Sequence, residues 1–375
     1  MAHSERDIVR LRRIAGNMEV RGVLLNTIRA FFWQRGFAEV ETPVRIPHPA
    51  NEDYIDAEPS GDWYLRTSPE LHMKRLLAAG YENIYQLGPC FRAGERGRRH
   101  LSEFTMLEWY RAGAGYLDIL DDCRGLVACT VAGIESRFPM VVDAPHGSAG
   151  DREPSWNGPA PATTCPVPLE GAGEKSCSPI TAGAGPGGDR CKRSMATGQK
   201  RAHLSPSGTA RLHKQWEILP VEEAFRQYAH ADVDELIHAG RFEEVLVESV
   251  EPHLGFERPT VLIDYPASQA ALARRKPGRP DRAERWELYI AGLEIANAYG
   301  ELTDPAEQGR RFADSAKLRH REGREAYPVD PHFMAAMEAG LPRCAGIALG
   351  VDRLLMALLG TESIADVTAF PPEYV

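Results

Sequence analysis

Apolar positions recur at helical spacing over 14–34 (Ile14, Met18, Leu24 or Leu25, Ile28, Phe31, Phe32), and Gly36 follows as a stop, which predicts a helix. GFAEVETP then leads into a strand closed by Pro43. In TSPELHMKRLLAAG, Ser68 suits an N-cap, Pro69 the first turn and Gly80 the end of a second helix. YQLGPCFR and EFTMLEWYR read as an antiparallel strand pair joined by the polar loop AGERGRRHLS. A helix is expected near 116–134, and helical patterning returns in LPVEEAFRQYA and FEEVLVESVEPHLG. The strands TVLIDYP, RWELYIAG and LEIANAYGEL follow, and GIALGVDRLLMALLG reads as a glycine-marked strand entering an apolar helix. With no repeat and no βαβ regularity, the pattern predicts an α+β fold built on an antiparallel sheet.

One stretch breaks the pattern. Residues 143–213 are rich in Gly, Pro, Ser and Ala, without a period of 2 or 3.6, and read as a disordered insertion. The organisation expected is therefore one domain made of 1–142 and 214–375, interrupted by that insertion. Cys165, Cys177 and Cys191 fall inside it at spacings that match no zinc site, and reduced thiols are the plainer reading. The net charge of −9 over 375 residues argues against broad capture of a nucleic-acid backbone, so no tRNA partner is expected. The N-terminus lacks the apolar core of a secretory signal, and no stretch approaches a membrane span; a cytoplasmic protein is expected.

Candidate chemistry starts in EFTMLEWYR. Alternation puts Phe104, Met106, Glu108 and Tyr110 on one face, offering an aromatic ring, a carboxylate and a phenol. That suits a flat ring and a cation, although an edge strand with solvated charges fits the same letters. Glu287, Glu294 and Glu301 recur every seven residues. Seven is odd, so one flat strand would send neighbours to opposite faces. A turn at Ala291-Gly292 and a break at Gly300 are needed to gather them.

Three segments in order, GFAEVETP, FRAGERGRRHLSEFTMLEWYR and GIALGVDRLL, resemble motifs 1, 2 and 3 of the class II aminoacyl-tRNA synthetases. With TSPELHMKRL and GLEIANAYGELTD between them, the likeness is nearest to the lysyl-tRNA synthetase core and covers all but the insertion. Only one helix precedes motif 1, where a lysyl-tRNA synthetase carries an anticodon-binding barrel. The chain is accordingly similar to the stand-alone paralogues that form the elongation factor P–(R)-β-lysine ligase family.

That resemblance implies activation of lysine or (R)-β-lysine by ATP with Mg²⁺, transfer to a lysine of elongation factor P, and a homodimer built through motif 1. It places Arg92 on the α-phosphate and Arg353 on the γ-phosphate. Phe104 would stack on adenine with Arg353 opposite, and His100 would touch phosphate or hold the motif 2 loop. The backbone of Glu294 and Ile295 would lie near the phosphates, and Gly350 would allow close approach of the nucleotide. Glu287 and Glu294 would ligate Mg²⁺. Glu301, Glu108 and Tyr110 would hold the terminal ammonium, and Ser68, Pro69 and Glu70 the other amino group. Asn297 would orient the carboxylate end, and Ala348 with Ser68 would shape the amino-group end.

Two positions depart from the family pattern. Gly94 stands where a glutamate usually contacts adenine, leaving Glu95 to take over, and Leu101 replaces an asparagine expected near ATP. A truncated tRNA-charging enzyme and an inactive synthetase-like regulator are the rival expectations.

Overall fold

The computed structural model describes residues 3–138 and 206–374. Its centre is an eight-stranded sheet. In chain order the strands are β1 (Ala38–Glu39), β2 (Asn83–Phe91), β3 (Glu103–Ala112), β4 (Glu217–Pro220), β5 (Thr260–Ile263), β6 (Arg285–Ile290), β7 (Leu293–Gly300) and β8 (Cys344–Gly350). They lie side by side as β1-β2-β3-β8-β7-β6-β5-β4. The six inner strands are antiparallel, as expected, but each edge strand is parallel to its neighbour. The GFAEVETP strand shrinks to two residues. Pro89 sits in β2 beyond the reach of β1, so no ladder partner is deprived of an amide donor.

One face of the sheet is covered by helices α1 (His3–Gln34), α3 (Tyr116–Arg137) and a C-terminal helix, Val351–Leu359, while α2 (Glu70–Ala78) lies elsewhere. Phe32 stacks on Tyr85 at 4.5 Å and meets Trp109 at 5.2 Å, while Trp286 donates from Nε1 to the Tyr116 carbonyl at 2.7 Å. These contacts fix which side of each strand is core. The opposite face must therefore carry Phe104, Met106, Glu108 and Tyr110.

Of the expected insertion, residues up to 205 lie outside the described residues, and the three cysteines with them. Its end is ordered: Pro206–Leu212 form helix α4, which packs on α3 and the C-terminal helix, with Thr209 and Leu212 buried. The folded segment thus begins at least eight residues before 214, because Leu212 supplies an apolar anchor that the surrounding composition hides. The pattern also gave no warning of α5 (Pro305–Arg321) and α6 (Pro331–Gly340), each opened by an aspartate cap, Asp304 and Asp330. The helix α2 (Glu70–Ala78) packs against α6, and the C-terminal helix Val351–Leu359, hereafter α7, ends at Gly360 in the left-handed conformation.

Candidate active site

Cross-strand register lays out the open face of the sheet in rows. Glu108 pairs with Ala348, Ala348 with Asn297, and Asn297 with Glu287. Two residues further along β3, Tyr110 pairs with Gly346, Gly346 with Tyr299, and Tyr299 with Arg285. Phe104 and Met106 continue the β3 face toward Gly350. These residues floor one cavity of about 830 Å³, walled by the 51–55 loop, the 267–272 segment and α5. That volume is at the upper end for small-molecule sites and suits two ligands side by side.

The β6–β7 hairpin gathers the glutamates, but not quite as expected. Ala291 and Gly292 form the turn with φ of 56° and 70°, a pair of left-handed residues that matches the strand twist. The second device is a bulge. Leu288 faces Ala296 and Tyr289 faces Glu294, so Ile295 is an extra residue, buried with Ala296 on the core side. This returns Glu294 to the face shared by Asn297, Tyr299 and Glu301. The strand ends at Gly300, and Glu301, on the same side as Asn297 and Tyr299, bridges separately to Ala273. Gly300 makes room for the Arg274–Glu284 ion pair, which a methyl group there would strike.

At one end of the cavity the donors are anionic. Tyr110 donates to Glu108 Oε1 at 2.6 Å, and Glu108 Oε2 is buried with no hydrogen-bond partner. Burial, with Glu70 and Glu301 adding repulsion, holds the Glu108 carboxyl above its ordinary range. Glu301 is pushed up to about 7, chiefly by burial, against the pull of Lys74. Lys74 is itself buried and lies 2.5 Å from Glu70 and 2.6 Å from Glu301. Asn297 donates to Tyr299 at 3.2 Å and leaves its buried Oδ1 unpartnered. Ser68 lines this end and accepts from the Glu70 amide at 3.4 Å; Pro69 is buried behind the wall, so it shapes the helix start rather than touching a ligand. Ala348, small and set between Glu108 and Asn297, keeps the floor low there.

The other end is cationic. Arg92 lies over the Phe104 ring at 5.2 Å, 3.7 Å from Glu95, and its Nε is buried without a partner. The cation over the Phe104 ring is thus Arg92. Arg353 is held elsewhere, donating to the Glu294 carbonyl at 3.0 Å and to its carboxylate at 3.2 Å. Asp352, at the start of α7, accepts from the Thr105 amide at 2.7 Å and from Arg21, fixing the strand beside Phe104. His100 stands at the rim; lost hydration, with Arg353 and Arg92 nearby, holds its imidazole below the ordinary range. Gly94 is exposed with φ of 77°, so it serves the turn that returns Glu95 toward Arg92. Leu101 is packed into the core cluster beneath the site, an apolar replacement that its surroundings accept. Gly350 is not crowded by protein: a Cβ would come no nearer than 3.8 Å to Arg353, leaving only a bound ligand to demand a glycine.

Between the ends lie Glu287 and Glu294. Glu287 is saturated, accepting from Arg285 at 2.5 Å, Tyr265 at 2.6 Å and Tyr289 at 2.7 Å. Burial and the Glu287 charge raise the Glu294 carboxyl. Glu251, bonded by Tyr289 at 3.0 Å, is pushed up to about 7 by burial. Among the described residues no three carboxylates, histidines or cysteines are placed to hold a metal alone. Hard oxygen donors beside arginines fit Mg²⁺ only if phosphate oxygens complete its shell, with Glu294 the freer ligand of the pair.

Sequence reasoning missed four contributors. Lys74 was legible as the i+4 partner of Glu70 on a helix face shared with Leu77. Gly346 was legible as a glycine inside a strand, a sign of close approach: a methyl group there would collide with the Tyr110 ring and lie 2.8 Å from Glu301. Glu52, pushed up to about 7 by burial, and the buried Arg319 that donates to the Glu52 and Ile55 carbonyls carried no local signal.

Comparison with known families decides the lineage of this site. The family model for class II tRNA synthetases (D, K and N) matches residues 3–373. The chain belongs to the class II tRNA synthetase family. Within that family it is 34% identical over 374 residues to an elongation factor P–(R)-β-lysine ligase of Vibrio cholerae, with 94% of each chain covered. It is 37% identical over 362 residues to the Vibrio vulnificus protein of the same name, and 33% over 365 residues to that of Proteus mirabilis. Coverage is 94% of both chains for the former; for the latter it is 95% of this chain and 94% of the relative. For a synthetase-family chain, the rows on the open sheet face correspond to the motifs read in the sequence.

Proposed function

We propose that this protein is an ATP-dependent ligase that activates (R)-β-lysine, or lysine, and transfers it to a lysine side chain of elongation factor P. The observation that carries this reading is the polarity of one cavity. Of its buried polar atoms without a hydrogen-bond partner, Arg92 Nε lies at the Phe104 end and Glu108 Oε2 and Asn297 Oδ1 at the other, with Arg285 Nε on the floor beside Glu287. A nucleotide satisfies the Phe104 end and a lysine-type ammonium the other. The names of the relatives supply the acceptor protein.

In this reading the substrate carboxylate oxygen attacks the α-phosphorus of ATP, forming the mixed anhydride as pyrophosphate leaves. The carboxylate is already a nucleophile, so the chain contributes alignment and charge neutralisation through Arg92 and Arg353. Phe104 offers the adenine a stacking face. Glu287 and Glu294 would hold Mg²⁺, which supplies further neutralisation of phosphate charge. The acceptor amine then attacks the acyl carbon, AMP leaves with the anhydride oxygen, and the amine proton passes to solvent. No side chain in the cavity is assigned as its base.

A homodimer is part of the proposal. Trp33, near the end of α1, is 82% exposed, a large apolar side chain that a second copy would cover. Among the described residues no helix is long and apolar enough to cross a membrane, in keeping with a cytoplasmic site of action.

ATP–pyrophosphate exchange with (R)-β-lysine, α-lysine or no amino acid tests the activation step. Exchange strongest with (R)-β-lysine, followed by transfer to elongation factor P but not to tRNA, is the expected result. Exchange in neither case, with folded protein, would reject the ligase.

A further inference from the structure

Among the described residues, Lys74 is the one buried lysine beside the anionic end, and the reaction leaves it unused. Its Nζ lies 2.5 Å from Glu70 Oε1 and 2.6 Å from Glu301 Oε2, with its side chain and that of Glu301 each 1% exposed. Glu70 and Glu301 line the cavity, but Lys74 does not. It sits behind them and ties α2 to the end of β7. We infer that Lys74 is a positioning residue that holds the Glu70 and Glu301 carboxylates together and in place to receive the two ammonium groups of a diamino acid. The inference rests on the ligase reading and names the chemical class its amino-acid end selects.

The charges around it support this assignment. Fully ionised, Glu70, Glu108 and Glu301 bring three negative charges, and Lys74 returns one. The Arg274–Glu284 pair beside Glu301 cancels itself. Tyr110, Tyr299 and Cys344 are all held neutral by burial. Glu52 faces Glu70 from the loop wall, where Arg92 opposes its charge. Bound ammonium groups draw Glu108 and Glu301, both raised by burial, into their ionised forms. Three carboxylates against Lys74 then leave two negative charges for two ammonium groups, in a site where unpaired charge is costly. Burial works against the Lys74 charge, but Glu301 and Glu70 more than offset it, so the residue stays an ammonium and is no acyl acceptor. Without that cation, two buried carboxylates face each other and one takes up a proton.

The test compares Lys74→Met and Lys74→Gln with Lys74→Arg and wild type in amino-acid-dependent ATP–pyrophosphate exchange across pH 5.5–9. For both neutral variants, the acid limb of kcat/KM for the diamino acid should move at least about one unit to higher pH. With Glu301 starting at about 7, that shift makes KM about fivefold higher at pH 7 and about tenfold higher a unit or more below it, while the KM for ATP stays within about twofold. Lys74→Arg should keep the wild-type limb, whatever its size does to KM. An unmoved limb in folded neutral variants would overturn the inference. So would neutral variants that fail to fold while the arginine variant folds, since Lys74 would then be a folding counter-ion only. Absence of exchange in wild type would instead reject the ligase reading, a different failure.

Discussion

Gly346→Ala puts the geometry of the ammonium end to a direct test. Gly346 is not in the left-handed region, so alanine suits the backbone and would on its own favour the strand by about 0.5–1 kcal/mol. The added methyl group, however, meets the Tyr110 ring and the Glu301 carboxylate. Overpacking of that kind costs about 1–3 kcal/mol. Displacing Tyr110 also breaks its bond to Glu108, a hydrogen bond to a buried charged group worth about 1.5–3 kcal/mol. If about 2 kcal/mol of this sum is felt in amino-acid binding, the KM for lysine or β-lysine rises about 30-fold. The assay is pyrophosphate exchange with each substrate varied in turn, the KM for ATP serving as internal control. Gly350→Ala is the contrast, because protein atoms leave room for its methyl group. Its effect should fall on ATP. A Gly346→Ala enzyme whose amino-acid KM stays within twofold of wild type would refute the reasoning.

Other perturbations separate the parts of the site. Phe104→Ala should raise the KM for ATP about tenfold, from the loss of about 1–3 kcal/mol of stacking on a base, and leave the amino-acid KM little changed. Arg319→Met should lower the melting temperature by several degrees and weaken ATP use, because the 52–56 wall loses its anchors at Glu52, Ile55 and Asp56; calorimetry and exchange report the two effects. Glu52, Glu251 and Glu301 are each pushed up to about 7 from an unfolded value of 4.5. The native state therefore binds more protons between those values, and the ligand-free protein should lose stability as pH rises from about 4.5 to 7. Carboxylates held low by arginines or lysines, such as Glu222 and Glu307, titrate below that window and do not counter it. Glu251→Gln should flatten the slope in a series of thermal melts; a slope unchanged in that variant would rule out its assignment.

The sheet face was legible because alternation in EFTMLEWYR is a local property, and the cavity lines up Phe104, Met106, Glu108 and Tyr110 as the letters imply. Neighbouring strands were legible only in part. That Ala348 lies between Glu108 and Asn297 depends on register across three strands, which no single segment encodes. The odd spacing of Glu287, Glu294 and Glu301 announced that some irregularity was required, but a bulge at Ile295 and a break at Gly300 satisfy the same arithmetic. The resting contact of Arg353 was not legible for a related reason: an arginine reaches far enough that its contact is chosen by the tertiary fold, here the Glu294 carbonyl. Lys74 shows the opposite case, a residue written plainly beside Glu70 and passed over because charged side chains on a helix are usually solvated.

The Ile295 bulge makes β7 two short strands in one. Before it, Leu293 and Glu294 pair only with β6; after it, residues from Ala296 onward pair with both β6 and β8. A bulge bends its strand, so within β7 Glu294 and the run from Asn297 to Glu301 take separate orientations, while β3 carries Phe104 and Glu108 on one unbroken strand. Side chains beyond the bend can be exchanged while Glu294 keeps its aim. In the proposed ligase, positions 296–301 are one separately oriented part of the amine end, which β3 and the start of α2 complete with Glu108, Tyr110, Ser68 and Glu70.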